Sequence, residues 1–117
     1  MTLKSILATA ALLATSLVHA QATMGWANSV TITGIDVRNS GYFLITLSSP
    51  MNGQPACATN HVRMTGDAST AGGKALLSAA YVAYTSQKTL QLVQGTGTCD
   101  QYTGFESTVI LQIGPAQ

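Results

Sequence analysis

The residues of this chain that could bind a ligand are mostly uncharged. Neutral glycans are held by hydrogen bonds from amide and hydroxyl groups together with an aromatic face, and six residues supply both kinds of group. They are Trp26, Asn28, Ser29, Gln94, Gln101 and Tyr102. We therefore predict that these residues form a glycan-binding site. The alternative interpretation makes Trp26 a core or interface residue and the other five ordinary loop surface.

Residues that could carry catalysis are few and scattered. After residue 20 the chain has one histidine, His61, and four acidic residues, Asp36, Asp67, Asp100 and Glu106. Asp100 and Glu106 flank one loop and could converge, but no hydrolase, zinc-protease or phosphate-loop motif accompanies them. A metal site would need about four ligands, and too few are available. We therefore predict a non-catalytic protein without a cofactor or metal, and an enzyme is a third hypothesis behind two kinds of binding protein.

Residues 1–20 have the pattern of a signal peptide. Lys4 provides the positive end, an apolar run covers residues 6–18, and residues 18–20 fit a small-x-small cleavage site. An uncleaved anchor is disfavoured because the run is shorter than the roughly 20 residues that span a bilayer. We therefore predict cleavage after Ala20, with Ala22 as the other candidate. The mature chain, residues 21–117, would be one secreted or periplasmic domain without a membrane span.

The predicted export determines how the two cysteines, Cys57 and Cys99, are interpreted. Exported chains form disulfides by default, so these two residues are predicted to pair. A redox-active pair is disfavoured because the C-x-x-C spacing is absent. Such a disulfide would close a loop of about forty residues and contribute on the order of 4 kcal/mol to stability.

The balance of charges limits the partners of the predicted mature chain. Without Lys4 the five basic residues become four, and four acidic residues match them. Charged residues make up 8% of the chain, against about a quarter in ordinary globular proteins. This composition offers no basic surface for nucleic acid.

The pattern of apolar residues predicts a mainly β domain. Alternation of apolar and polar residues indicates five strands, at 30–37, 42–47, 60–64, 89–94 and 105–113. Gly34 falls where the alternation changes phase, which is typical of a β-bulge. With a helix between the third and fourth strands, the order β-β-β-α-β-β favours an OB-fold, a five-stranded Greek-key barrel. The alternative is an α+β sandwich with one helix on an open sheet.

That helix is predicted at about residues 67–88, with Asp67, Ser69 or Thr70 as its N-cap and Lys88 at its far end. Its core stripe is predicted to contain Leu76, Leu77, Ala80, Tyr81, Ala83 and Tyr84. The opposite face lacks the charges of a solvated helix, which predicts that another copy of the chain covers it. The predicted oligomer interface consists of Ala75, Ser78, Ala79 and Val82.

Several of these features occur together in one known family. Trp26 begins a W-x-x-x-V-x-I segment, a cysteine precedes a short strand, and the helix ends in Y-x-x-Y-T-S-x-K before an L-x-L strand. This arrangement resembles the B subunits of AB5 toxins of the subtilase-cytotoxin and typhoid-toxin type. The residues in matching places are Tyr81, Tyr84, Thr85, Ser86, Lys88, Leu90 and Leu92. The chain departs from the family in lacking a second cysteine pair and an acidic W-x-G-D start.

The resemblance implies a homopentameric ring of OB-folds with the small-residue helix face at its centre. It also implies recognition of cell-surface glycans, with Asn28 or Ser29 at the position of the family's glycan-contacting serine, and a catalytic A subunit as a partner. The competing hypothesis is a monomeric periplasmic or secreted protein that binds or inhibits another protein. Its contact surface would be the apolar patch along Ala75, Ala79 and Val82.

Overall fold

The computed structural model describes residues 23–114. The predicted signal peptide, its cleavage site and the last three residues lie outside this range. Within it the chain is mainly β with one helix, as predicted. The elements are β1 Trp26–Ala27, β2 Ile32–Val37, β3 Tyr42–Leu47, β4 Arg63–Asp67, α1 Ala71–Ser86, β5 Leu90–Gly95 and β6 Thr108–Ile113.

The six strands form two antiparallel three-stranded sheets, with strand orders β2-β3-β4 and β1-β5-β6. One isolated antiparallel bridge, between Val30 and Leu90, and one isolated parallel bridge, between Thr65 and Ser107, join them. The described residues therefore do not form the closed five-stranded barrel that the element order suggested. Two sheets meet instead at single points along their edges.

The phase change at Gly34 is a break in the register of β2, as predicted. Ile32 pairs with Leu47 and Gly34 pairs with Thr46, so β2 contains one residue more than β3 between these pairs. Such a bulge bends the strand and increases its twist. Ile32 on one side of the bulge still pairs with β3, and Val30, which precedes β2, bridges to Leu90 of β5.

Three strand predictions were wrong in number or position. Trp26–Ala27 was not among the five predicted strands, but it pairs with β5 as a sixth strand. β4 begins three residues later than predicted because the Asn60 side-chain oxygen accepts the amides of Val62 and Arg63 and holds them in a turn. β6 begins at Thr108 because a turn, closed by the Phe105 amide and the Tyr102 carbonyl oxygen, precedes it.

The helix begins and ends at residues with recognisable capping geometry. Thr70 is the N-cap, and its hydroxyl accepts the Gly73 amide at 2.9 Å. Gln87, in the left-handed conformation at φ 54°, closes the other end, where Lys88 was expected to lie within the helix. Of the three predicted caps, Asp67 instead accepts the Ser69 amide and hydroxyl in the turn before the helix.

The side of α1 that faces the core differs from the predicted stripe. Ala80 and Ala83 are fully buried and Leu76 and Leu77 pack against the core, as predicted. The other two members are exposed, Tyr81 by 46% and Tyr84 by 37%. The small residues Gly73, Ala80 and Ala83 allow the helix axis to come close to the sheets, and this rotates the tyrosines outward.

The core lies between the two sheets and α1. Its largest fully buried side chains are Phe43, Ile32, Ile45, Met64, Leu90 and Val93. Phe43 packs over Gly66, where any side chain would collide with the ring. Both sheets and the helix share this one cluster, so a single packed core supports the surfaces of all three.

Candidate functional site

Trp26 is held at the edge of β1 with its side chain 46% exposed. Its backbone amide donates to the Asn52 carbonyl oxygen at 2.9 Å, and the Asn52 amide returns a 2.7 Å bond to Trp26. On its other side Trp26 is opposite Gln94 of β5. Pairing on both sides fixes the backbone, so an exposed indole and the neighbouring amide side chains of Asn52 and Gln94 lie on one surface.

Asn28 and Ser29 extend this surface along the bend between β1 and β2. Both residues are exposed. The Asn28 side-chain amide lies against the Gln91 carbonyl oxygen, and in the orientation that satisfies both groups its nitrogen donates to that oxygen at 3.2 Å. Ser29 has a φ of 54°, in the left-handed region that non-glycine residues seldom adopt. Sparsely populated backbone geometry of this kind concentrates at ligand-binding positions. We refer to Trp26, Asn28, Ser29 and Gln94 as the tryptophan surface.

The other two predicted glycan-binding residues do not belong to the tryptophan surface. Tyr102 packs edge-to-face against Tyr42, with 5.4 Å between the ring centroids. Tyr42 begins β3, whereas Asn52 beside Trp26 follows the other end of that strand. A strand of six residues is about 17 Å long, so two separate groups replace the single predicted cluster. Gln101 is half-buried next to Tyr102 and belongs to a different feature.

That feature is a cleft of about 650 Å³ between the first half of α1, the end of β4 and the outer side of β6. Gln101 and Thr108 contribute polar atoms to it. Ala75 and Ala79, which were predicted to lie in an oligomer interface, also line it. We refer to this feature as the helix cleft. The sequence analysis did not predict the helix cleft or the role of Thr108 in it. The feature of the sequence that could have indicated a cleft is the Gly72-Gly73 pair, because two glycines leave the first turn of the helix without side chains.

The remaining predicted interface residues, Ser78 and Val82, lie on the outer face of α1. Both are exposed, and 56% of Val82 is accessible. Lys74 is the only charged residue among the sixteen of the helix. Tyr81 lies on the same side of α1 and is also exposed. The outer face of the described chain is therefore largely uncharged and carries exposed apolar side chains.

Glu106 is the most unusual polar residue of the described chain because it is fully buried. Its Oε2 atom accepts the amides of Gly25 at 3.0 Å and Gly97 at 2.9 Å, and its Oε1 atom accepts the side-chain amide of Gln54 at 3.1 Å. A Cβ atom at Gly25 or Gly95 would collide with the carboxyl group. Sequence analysis placed Glu106 beside a loop and did not predict its burial, because two of its hydrogen-bond donors, Gly25 and Gln54, are far away in the sequence.

The structure does not bring the acidic residues together for catalysis. Asp100 is exposed and accepts the Thr98 hydroxyl at 2.9 Å, whereas Glu106 is buried. His61 is exposed, and its Nδ1 lies 2.7 Å from Gln54 Oε1. Asp36 pairs with Arg38 at 2.7 Å on the surface. Among residues 23–114, no group of three His, Cys, Asp or Glu side chains converges on a point that could hold a metal ion.

The predicted disulfide between Cys57 and Cys99 is confirmed, with 6.1 Å between the two Cα atoms. It joins the segment between β3 and β4 to the segment between β5 and β6, so it links the two sheets. In the part of the chain that the structure describes, no helix has the length and apolar character needed to cross a membrane.

Comparison of the chain with protein-family models, curated proteins and solved structures gives no match. The AB5 resemblance therefore remains an expectation from the sequence. Function has to be argued from the chemistry of the tryptophan surface, the helix cleft and the outer face of α1.

Proposed function

We propose that this protein is an exported, non-catalytic binding module that recognises neutral glycans through the tryptophan surface and acts as a homo-oligomeric ring. The observation that carries glycan recognition is the half-exposed Trp26 beside Gln94 and Asn52. Indole provides an apolar face for the C–H side of a sugar, and the neighbouring amides provide hydrogen-bond donors and acceptors for its hydroxyls. A binding site for a neutral sugar does not require charged side chains.

Replacing Trp26 with alanine should reduce glycan binding by about tenfold or more, which corresponds to about 1.4 kcal/mol. The stacking face is lost, while the backbone pairing of β1 with Asn52 and Gln94 remains. A glycan array followed by titration calorimetry on the best binder measures this effect. Trp26→Phe, which keeps an aromatic face, is the matched control and should retain a substantial part of the affinity. Equal binding by the wild type and Trp26→Ala would contradict the proposal.

Ring assembly is supported by two different kinds of uncovered surface. Within residues 23–114, the six-residue strands β2 and β6 lie at sheet edges, with β3 and β5 as their only strand partners. Val37 of β2 and Val109 of β6 are half-exposed. Open edges pair readily with another chain. A ring requires two different surfaces that meet head to tail, and two such edges together with the outer face of α1 satisfy this requirement.

Replacing Val82 with glutamate should convert the proposed ring into folded monomers, because a charge would be buried at the contact between subunits. Light scattering of the oxidised protein checks this, with an expected wild-type mass near five subunits. Ala56→Glu adds the same charge at an exposed apolar residue next to the disulfide and should leave the mass unchanged. A monodisperse wild-type monomer at micromolar concentration would overturn the ring. It would favour the alternative of a monomer that binds or inhibits another protein through the outer face of α1.

The finer parts of the proposal follow from the resemblance described above. We propose that the two sheets are the halves of an OB-type barrel, supported by the bridges that join β4 to β6 and the start of β2 to β5. In this arrangement the chain is a B-subunit-like module of the AB5 type, and a catalytic A subunit is its proposed partner. Co-purification of an oxidised ring with a second polypeptide from the source cells would test that partnership.

A further inference from the structure

The helix cleft has the size of a small-molecule site. Its volume of about 650 Å³ lies within the range of about 300–1,000 Å³ that ligand pockets occupy. One wall is apolar, with Leu76 from α1 and Ile110 and Leu111 from β6. The polar side chains in its lining are few, and a small number of polar groups is how ligand pockets fix the orientation of what they bind.

Two oxygen atoms of residues that line the helix cleft have no hydrogen-bond partner. Thr108 is only 7% exposed, and its Oγ1 atom is unpaired. The Oε1 atom of Gln101 is also buried and unpaired. Buried polar atoms are nearly always paired, because an unmade hydrogen bond costs free energy. Three buried side-chain atoms are unpaired among residues 23–114, and two of them, unlike Ser107 Oγ, belong to residues that line this cleft, where a ligand could supply their missing hydrogen bonds.

Gly72 leaves open space beside the first turn of α1. A Cβ atom built at Gly72 would meet nothing within 4 Å, whereas one at Gly73 would collide with the Asp67 carbonyl oxygen. Packing therefore requires glycine at position 73 but not at position 72. At position 72 alanine would stabilise the helix more than glycine does. The absence of a side chain at 72 leaves the first turn of α1 open to the cleft. N–H groups in a first turn have no acceptor within the helix.

The charges around the helix cleft select a neutral ligand. Asp67 is the only ionisable residue in its lining. Hydrogen bonds from the Ser69 hydroxyl and amide lower the pKa of Asp67, so this carboxyl group remains ionised at neutral pH. The N-terminal end of α1 carries the positive pole of the helix dipole. The negative charge of Asp67 disfavours binding of an anion in the cleft, and the positive pole of the helix disfavours binding of a cation.

We propose that the helix cleft binds a neutral hexose at a site separate from the tryptophan surface. Its hydroxyls pair with Thr108 Oγ1, Gln101 Oε1 and the Gly72 amide, and its C–H face packs on Leu76. Both oxygens are shielded from solvent in the described conformation, so rotation of the half-buried Gln101 side chain accompanies binding. This site goes beyond the proposed surface recognition and does not depend on it.

The test is a titration of the ¹⁵N-labelled, oxidised protein with the methyl glycosides of glucose, galactose and mannose, followed by amide chemical shifts. At millimolar concentration we expect at least one sugar to shift the amides of Gly72, Gln101 and Thr108. Thr108→Val removes only the unpaired hydroxyl, so affinity should fall about tenfold while the melting temperature is unchanged or higher. Gly72→Leu places a side chain in the open space and should abolish the shifts without loss of stability.

Three outcomes would overturn the proposal. These are no shifts at the cleft with any of the three sugars, shifts that both variants retain, and shifts produced equally by inorganic phosphate, which would indicate an anion site. Trp26→Ala distinguishes this proposal from the surface function. Cleft shifts that persist in Trp26→Ala support the helix cleft even if glycan binding at the tryptophan surface fails. Shifts confined to the surroundings of Trp26 would support only that surface.

Discussion

Replacing Glu106 with alanine is expected to lower the free energy of unfolding by about 4 kcal/mol. The wild-type carboxyl group is fully buried and accepts three N–H groups, from Gly25, Gly97 and Gln54. Alanine leaves these donors without a partner in the protein interior and creates a cavity where the carboxyl group was. In a domain of this size the loss should lower the melting temperature by about 15–30 °C.

The physical basis of this prediction is the position of the three donors. They belong to the start of β1, the turn after β5 and the segment between β3 and β4, and the glycines at 25 and 95 leave room for the carboxyl group. Glu106 therefore ties β1 to the rest of the molecule one residue before Trp26. We expect Glu106→Ala to weaken binding at the tryptophan surface as well as stability.

Chemical denaturation with matched variants checks the prediction. Glu106→Gln should have an intermediate effect, because its amide oxygen still accepts backbone amides but without a charge. Asp100→Ala removes an exposed carboxyl group from the same loop and should change stability by no more than about 0.5 kcal/mol. If Glu106→Ala remains within about 1 kcal/mol of the wild type, the buried carboxyl group is not an anchor of the fold.

Removing the disulfide is expected to have a similar effect, about 4 kcal/mol, in the variant with Cys57→Ala and Cys99→Ala. The two cysteines are 42 residues apart, and cross-linking so long a loop restricts the unfolded chain strongly. The bond also joins the two sheets, which share the core but are hydrogen-bonded to each other at isolated bridges. We therefore expect loosening of the contact between the sheets before loss of either sheet.

Thermal unfolding with and without a reducing agent provides the control. Reduction should lower the melting temperature of the wild type and have no effect on the double variant. Hydrogen exchange should increase first at Thr65, whose amide donates to the Glu106 carbonyl oxygen across the contact between the sheets. A double variant as stable as the wild type would mean that the core alone determines stability.

Local patterns in the sequence predicted much of the secondary structure. β3 was predicted at residues 42–47 and occupies these residues, because its apolar alternation lies between a glycine turn and a loop. The bulge at Gly34 and the disulfide were also predicted, since each depends on residue type and compartment more than on distant contacts. Asn60 moved the start of β4 through a side-chain hydrogen bond that apolar periodicity does not register.

The candidate sites depended on contacts between distant segments, and prediction was weaker there. The structure places Trp26, Asn28, Ser29 and Gln94 in one neighbourhood, because β1 and β5 pair, and their role in glycan binding stays a prediction. Tyr102 was assigned to the same site only because its side chain is aromatic and polar. The structure instead places it against Tyr42. A set of polar residues in a sequence does not indicate which of them share a surface.

By itself, the sequence determined the mainly β character of residues 23–114, their one helix with its largely uncharged outer face, the pairing of the two cysteines and the scarcity of charge. Each of these follows from local periodicity or composition. Only the tertiary structure decided that Glu106 is buried, that the tyrosines of α1 turn outward, and that Thr108 and Gln101 meet at a cleft. The physical reason is that burial and hydrogen-bond partnership depend on groups brought together from distant parts of the chain.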